Sequence, residues 1–180
     1  MAETPVEATL QGNKELIRRF IEEGQNRHDY DLIDAFSTED CVIHHPAARK
    51  PASEADDRRR MAEELWEAFS DFRFGIEDMV AEGDWVAVRL TAHATNDGPL
   101  GPNKDVSGKT VAQPVQVHYR LRDGKIAEVW IEEDVYGMLL QLGLIPKSPR
   151  LLHWMNRLGI MRLLQMAGKV PKEDPSYQLS

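Results

Sequence analysis

The chain has 180 residues, 42% hydrophobic and 29% charged, with a formal net charge of −8. This describes one domain of ordinary size with a packed core, and it lacks the basic surface that nucleic acid requires. The single cysteine, Cys41, excludes an intramolecular disulfide framework and a cysteine-based zinc cluster.

The sequence shows no signal-peptide pattern and no run of about 18 apolar residues, so the expected setting is the cytoplasm. The first ten residues are small and polar and read as a loose arm. Leu16, Ile17, Phe20 and Ile21 then recur at helical spacing, with Asn13 placed as an N-cap. Gly24 to Asp29 interrupts that pattern, and "YDLIDAF" makes a second, short helix. "CVIHH" is a brief strand stopped by Pro46, and residues 47–57 read as a loop. "DRRRMAEELWEAFSDF" is a third amphipathic helix, with Met61, Leu65 or Trp66, and Phe69 toward the core.

From Phe72 onward the hydrophobic period changes to two. "FRFGIEDMVAEG" and "WVAVRLTAHAT" are strands joined by a turn at Glu82 to Asp84. A Gly/Pro-rich loop follows, and "VAQPVQVHYRLR" and "KIAEVWIEED" pair through the hairpin signal Asp123-Gly124. Helices followed by a meander of strands predict an α+β fold: a curved, cone-shaped antiparallel sheet wrapped around the N-terminal helices and enclosing a pocket. By parity, Ile126, Glu128, Trp130, Glu132 and Asp134 share one face of the last strand. On its partner, Gln116 and His118 oppose the apolar set Val115, Val117 and Tyr119.

The order of elements, together with "DGKI.E.W...D..G.L.QLG", resembles the SnoaL-like polyketide cyclase (ester cyclase) family of the NTF2-like superfamily. The pattern is met by Asp123, Gly124, Lys125, Ile126, Glu128, Trp130, Asp134, Gly137, Leu139, Gln141, Leu142 and Gly143. The resemblance covers residues 12–146 and implies a cofactor-independent enzyme. Its signature reaction is an intramolecular aldol-type cyclisation of a small lipophilic substrate. The superfamily also hosts isomerases, epoxide hydrolases and plain binding proteins, which stand as alternatives.

Candidate residues follow from residue type and from the resemblance together. Asp134 sits among Trp130, Met138 and Leu139, where a poorly solvated carboxylate makes a general base, and the resemblance assigns an aspartate at this motif position to acid/base work. The competing reading makes Asp134 the N-cap of a helix starting at Val135. His118 is its expected catalytic partner. Gln116, matched to the family's Gln-x-His pair, would orient the substrate carbonyl, and Trp130 would line the same site. His44 and His45 point to opposite faces of their short strand, so at most one of them is expected to line the pocket. In the family the position of His45 is commonly Asn or Asp. Arg89 is a further candidate for the substrate site, and a buried Arg89 paired with Glu128 or Glu132 would instead be structural. No residue set has the composition of a metal site.

Residues 147–180 lie beyond the family pattern and form a separate C-terminal extension. It opens on Ser148-Pro149, an N-cap followed by a first-turn proline. It carries six Lys/Arg against two Asp/Glu, a balance of +4 that leaves −12 for residues 1–146. A helix apolar around most of its circumference must cover something, and a homo-oligomer interface is the expected role. Contact with a membrane surface is the alternative.

Overall fold

The computed structural model describes residues 5–45, 51–100 and 106–145, together with positions 148, 150, 153, 154, 157 and 158 of the extension. The expected C-terminal helix lies largely outside these residues.

The first helix, α1, spans Pro5–Arg19 and so begins well before Asn13. Pro5 is preorganised for a first helical position, and Glu7 in the first turn complements the helix dipole. Asn13 therefore lies inside the helix, and its side-chain amide donates to the Gly83 carbonyl of a sheet turn at 3.1 Å. A π-helical turn, Phe20–Gly24, and a short 3-10 turn, Gln25–Arg27, follow. Gly24 is required here, because a Cβ would lie 2.9 Å from Cγ1 of Ile33. Asp29 accepts from the Leu32 amide at 3.0 Å and caps α2, Tyr30–Phe36. Strand β1, Ser37–His44, and helix α3, Ala55–Ala68, complete the N-terminal half.

The rest of the sheet is β2 (Arg73–Glu82), β3 (Trp85–Thr95), β4 (Thr110–Arg122) and β5 (Lys125–Glu133), followed by helix α4, Val135–Leu142. Asp123 and Gly124 both adopt positive φ, 52° and 71°, as a type I′ hairpin turn demands. The strand order is β1-β5-β4-β3-β2. β2 to β5 form an antiparallel meander, but β1 pairs parallel with β5, so the curved sheet is mixed rather than wholly antiparallel. No hairpin constrains β1, which reaches the sheet after two helices.

The inner face is strictly apolar over its centre. Val86, Val88 and Leu90 of β3 and Val115, Val117 and Tyr119 of β4 pack with Ile17, Phe20 and Ile21 from the helices. Burying these six sheet side chains contributes roughly 1.5–3 kcal/mol each before entropy is charged against it. No described helix is long and apolar enough to cross a membrane.

Candidate functional site

The concave face and the helices enclose a cavity of about 750 Å³. Its walls are mostly aromatic and aliphatic, including Phe20, Phe72, Phe74, Met61, Val117 and Tyr119. The size and lining suit a compact organic molecule. Burial pushes the Tyr119 hydroxyl well above the ordinary tyrosine range, so it stays protonated.

Three polar side chains interrupt this lining at one end. Nε2 of His45 lies 3.1 Å from Oε1 of Glu133, and Nε2 of Gln113 donates to the other carboxylate oxygen at 3.2 Å. Gln113 is buried, and the His45 and Glu133 side chains are only 22% and 19% exposed. Strand alternation delivers each of them. Gln113 shares the inward face of β4 with Val115 and Val117, Glu133 shares that of β5 with Val129 and Ile131, and His45, one residue past the end of β1, continues the side of Cys41 and Ile43. Helix α4 secures the end of the sheet where β5 stops. The Gln141 side chain accepts from the Ala112 amide at 3.0 Å and donates to its carbonyl at 3.2 Å, completing the ladder as a strand would.

Tyr30, Cys41 and Arg58 also line the cavity. The Arg58 guanidinium, on a residue only 5% exposed, donates to the carbonyls of Cys41 (2.9 Å), Ser53 (2.7 Å) and Glu39 (3.3 Å). It thus ties β1 to the start of α3. Burial raises the Cys41 thiol above its usual range, with Arg58 opposing, so this thiol is a weak nucleophile.

The residues singled out from the sequence fall mostly elsewhere. Trp130, His118, Gln116 and Arg89 project from the convex face, which corrects the expectation that Trp130 and its neighbours line the concave side. The physical reason is a bulge. Arg120 pairs with Glu128 but Leu121 pairs with Ile126, so Ile126 and Ala127 are both buried and the parity reverses between Ile126 and Glu128. Val129, Ile131 and Glu133 consequently face the cavity. Asp134 is exposed and serves as N-cap of α4, accepting from the Gly137 amide at 2.8 Å. Arg89 pairs with Asp78 of β2 (Nε–Oδ2 2.9 Å), not with Glu128 or Glu132.

Of the two adjacent histidines, His45 lines the cavity and His44 does not. His44 stacks on Trp130 at 4.8 Å and bonds to Glu128 at 2.9 Å. Burial works against the Glu128 carboxylate, but bonds from His44 and Arg120 outweigh it and hold its carboxyl below the usual range. Sequence reasoning missed Gln113 and Glu133. The available signal was a polar residue at an inward position of an otherwise apolar strand face. Among the described residues no cluster suits a metal ion.

The model of the SnoaL-like polyketide cyclases matches residues 15–142. A proposed hydroxylase from Streptomyces galilaeus is 26% identical, with a TM-score of 0.67 over 76% of this chain and 99% of its own. A proposed polyketide cyclase from Streptomyces antibioticus is also 26% identical, with a TM-score of 0.63 over 73% and 98%. A SnoaL-like protein from a Jannaschia species shares the fold at 20% identity, with a TM-score of 0.70 over 81% and 99%. No curated protein matches significantly.

Proposed function

Because this chain belongs to the SnoaL-like polyketide cyclase family, we propose that it is a cofactor-independent acid/base enzyme closing a ring by intramolecular aldol addition. The observation that carries this reading is the His45–Glu133 pair, held by Gln113 inside an otherwise apolar cavity. A substrate with two carbonyl groups gives up an α-proton to the imidazole–carboxylate pair. The resulting enolate carbon attacks the second carbonyl of the same molecule, and the pair returns the proton to the new alkoxide. Atoms and electrons balance without any further reactant. The carboxylate stabilises the imidazolium between the two proton transfers, and the apolar walls fold the substrate into a reactive conformation. Gln113 is a positioning residue, fixing the carboxylate that faces His45.

This reading moves the acid/base role from Asp134 and His118 to Glu133 and His45, because chemistry on a lipophilic substrate belongs where water is excluded. The test is exchange of the α-protons of a polyketone ester with solvent deuterium, followed by NMR. Glu133→Gln should slow enzyme-promoted exchange by about 10²- to 10⁴-fold, the usual contribution of general acid–base catalysis, with an unchanged melting temperature. Unchanged enzyme-promoted exchange would take the base role from Glu133, and retained ligand affinity with no exchange even in the native protein would favour a binding protein instead.

A further inference from the structure

One hydroxyl inside the cavity is left without a partner. Tyr119 lines the cavity, is 4% exposed and shares the inward face of β4 with Val115 and Val117. Val86 and Val129 flank it on the neighbouring strands, and Phe20 meets its ring edge-on at 5.8 Å. The two other hydroxyls of the described lining are committed within the protein. Tyr30 donates to the Ala55 carbonyl at 3.2 Å, and Ser37 donates to that of Ile33 at 2.9 Å. At Tyr119 burial acts alone on the hydroxyl, with no hydrogen bond or charge among the described residues set against it. The polar side-chain atoms sealed off without a partner among those residues are Oγ1 of Thr38 and Nε1 of Trp66. The Tyr119 oxygen is not one of them, so it adjoins open space, and for a residue this buried that space is the cavity. A buried tyrosine hydroxyl ordinarily finds a partner, and this one can find it in a bound molecule.

Strand register places this donor away from the His45–Glu133 pair. Glu133 pairs with Val115, and Tyr119 lies four residues further along β4, opposite Val129. At about 3.4 Å per residue, that is about 13 Å along the sheet. A molecule that fills a cavity of about 750 Å³ is large enough to reach both places. The oxygen it brings to Tyr119 has to be uncharged. Val86, Val129 and Phe20 offer no second donor, so a carboxylate there would exchange its hydration for a single hydrogen bond. Arg58, the one guanidinium of the described lining, is already engaged by three backbone carbonyls.

We propose that Tyr119 is a specificity-determining residue whose hydroxyl donates to a ketone or ester carbonyl of the substrate, at the end remote from the carbonyls that close the ring. Which end reacts rests on the aldol reading above; the unpartnered donor does not. The substrate is then an elongated, uncharged and mostly apolar molecule with oxygen acceptors toward both ends. A molecule lacking the far carbonyl leaves the hydroxyl unpaired and is discriminated against for that reason.

The test uses the full chain and Tyr119→Phe, which removes one oxygen and keeps the ring against Phe20. Two naphthalene probes carry the same β-diketone on one ring. On the far ring one bears an acetyl group, and the other an isopropenyl group of the same shape without the oxygen. Calorimetric titration gives the dissociation constants. The native protein should bind the acetyl probe about five- to tenfold more tightly, the contribution of one neutral hydrogen bond. Tyr119→Phe should bind the two probes equally, with a melting temperature no lower than that of the native protein. A preference kept by Tyr119→Phe would place the carbonyl on another group and overturn the proposal. So would equal binding of both probes by the native protein. A fall of several degrees in the melting temperature of Tyr119→Phe would do the same, because the hydroxyl would already have a partner in the protein. In Glu133→Gln the preference for the acetyl probe should persist whatever happens to proton exchange, so failure of this proposal and failure of the aldol reading are read separately.

Discussion

Two adjacent histidines, each paired with a glutamate of the same strand, lie on opposite sides of one sheet. His45 meets Glu133 inside the cavity at 3.1 Å, and His44 meets Glu128 on the convex face at 2.9 Å. The local chemistry is nearly the same, but the surroundings differ. Glu133 is held by the neutral amide of Gln113 among apolar walls, whereas Glu128 also takes the cation of Arg120, and His44 stacks on Trp130 in reach of water. A carboxylate already satisfied by a guanidinium has little reason to support proton transfer. Pairing by itself does not identify a catalytic group; pairing next to a space for substrate does.

The largest expected effect separates these two pairs directly. His45→Asn should lower turnover by about 10²- to 10⁴-fold, while His44→Asn leaves it within a factor of about two; steady-state kinetics on both variants decides. A second contrast sets Arg58 of the cavity wall against Arg89 of the outer face. Arg58→Met leaves the carbonyls of Cys41, Ser53 and Glu39 without their donor. Of these bonds the one to Cys41 is buried, and a buried group left unsatisfied costs about 1–3 kcal/mol, so denaturant unfolding should show a clear loss. Arg89→Met removes an exposed pair with Asp78 and should cost no more than about 1 kcal/mol.

Asp134 supplies a third contrast, between a carboxylate that caps and one that faces substrate. Asp134→Ala should lose about 0.5–2 kcal/mol of stability with turnover preserved, and Asp134→Asn, itself a good cap, should lose little of either. Lost turnover with intact stability would return the acid/base role to Asp134. The smallest effect concerns pH. The Glu128 carboxyl is depressed in the folded state, so its contribution is present above the ordinary glutamate range and is lost as pH falls through the depressed value. Acid unfolding followed by circular dichroism should therefore be less steep in Glu128→Gln between about pH 5 and 3. An unchanged slope would remove Glu128 from the pH dependence.

Much of the fold was legible from period and punctuation. The helix at "YDLIDAF", the Asp123-Gly124 hairpin and the alternation of β4 depend on local preferences, and each is found where the sequence placed it. The start of α1 at Pro5 was not, because polar first turns look like a loose arm when their contacts are distant. The parallel edge pairing of β1 was likewise hidden, since it depends on a non-local register. The site was misplaced by one residue. Ile126 belongs in the core, and unbroken alternation from it carries Trp130 and Asp134 inward. A bulge spends one extra residue at Ile126–Ala127 and hands those positions to Ile131 and Glu133. A bulge has no firm sequence signature, but the polar residue Gln113 within the apolar face of β4 was a visible clue.

The central claim, that the chemistry lies on the concave side, is tested most directly by imidazole NMR during titration with a cavity-sized apolar diketone. The His45 ring signals should shift with saturation as the ligand fills the cavity, while those of His44 and His118 stay in place. Shifts at His44 and His118 with a silent His45 would put the ligand on the convex face and contradict the account.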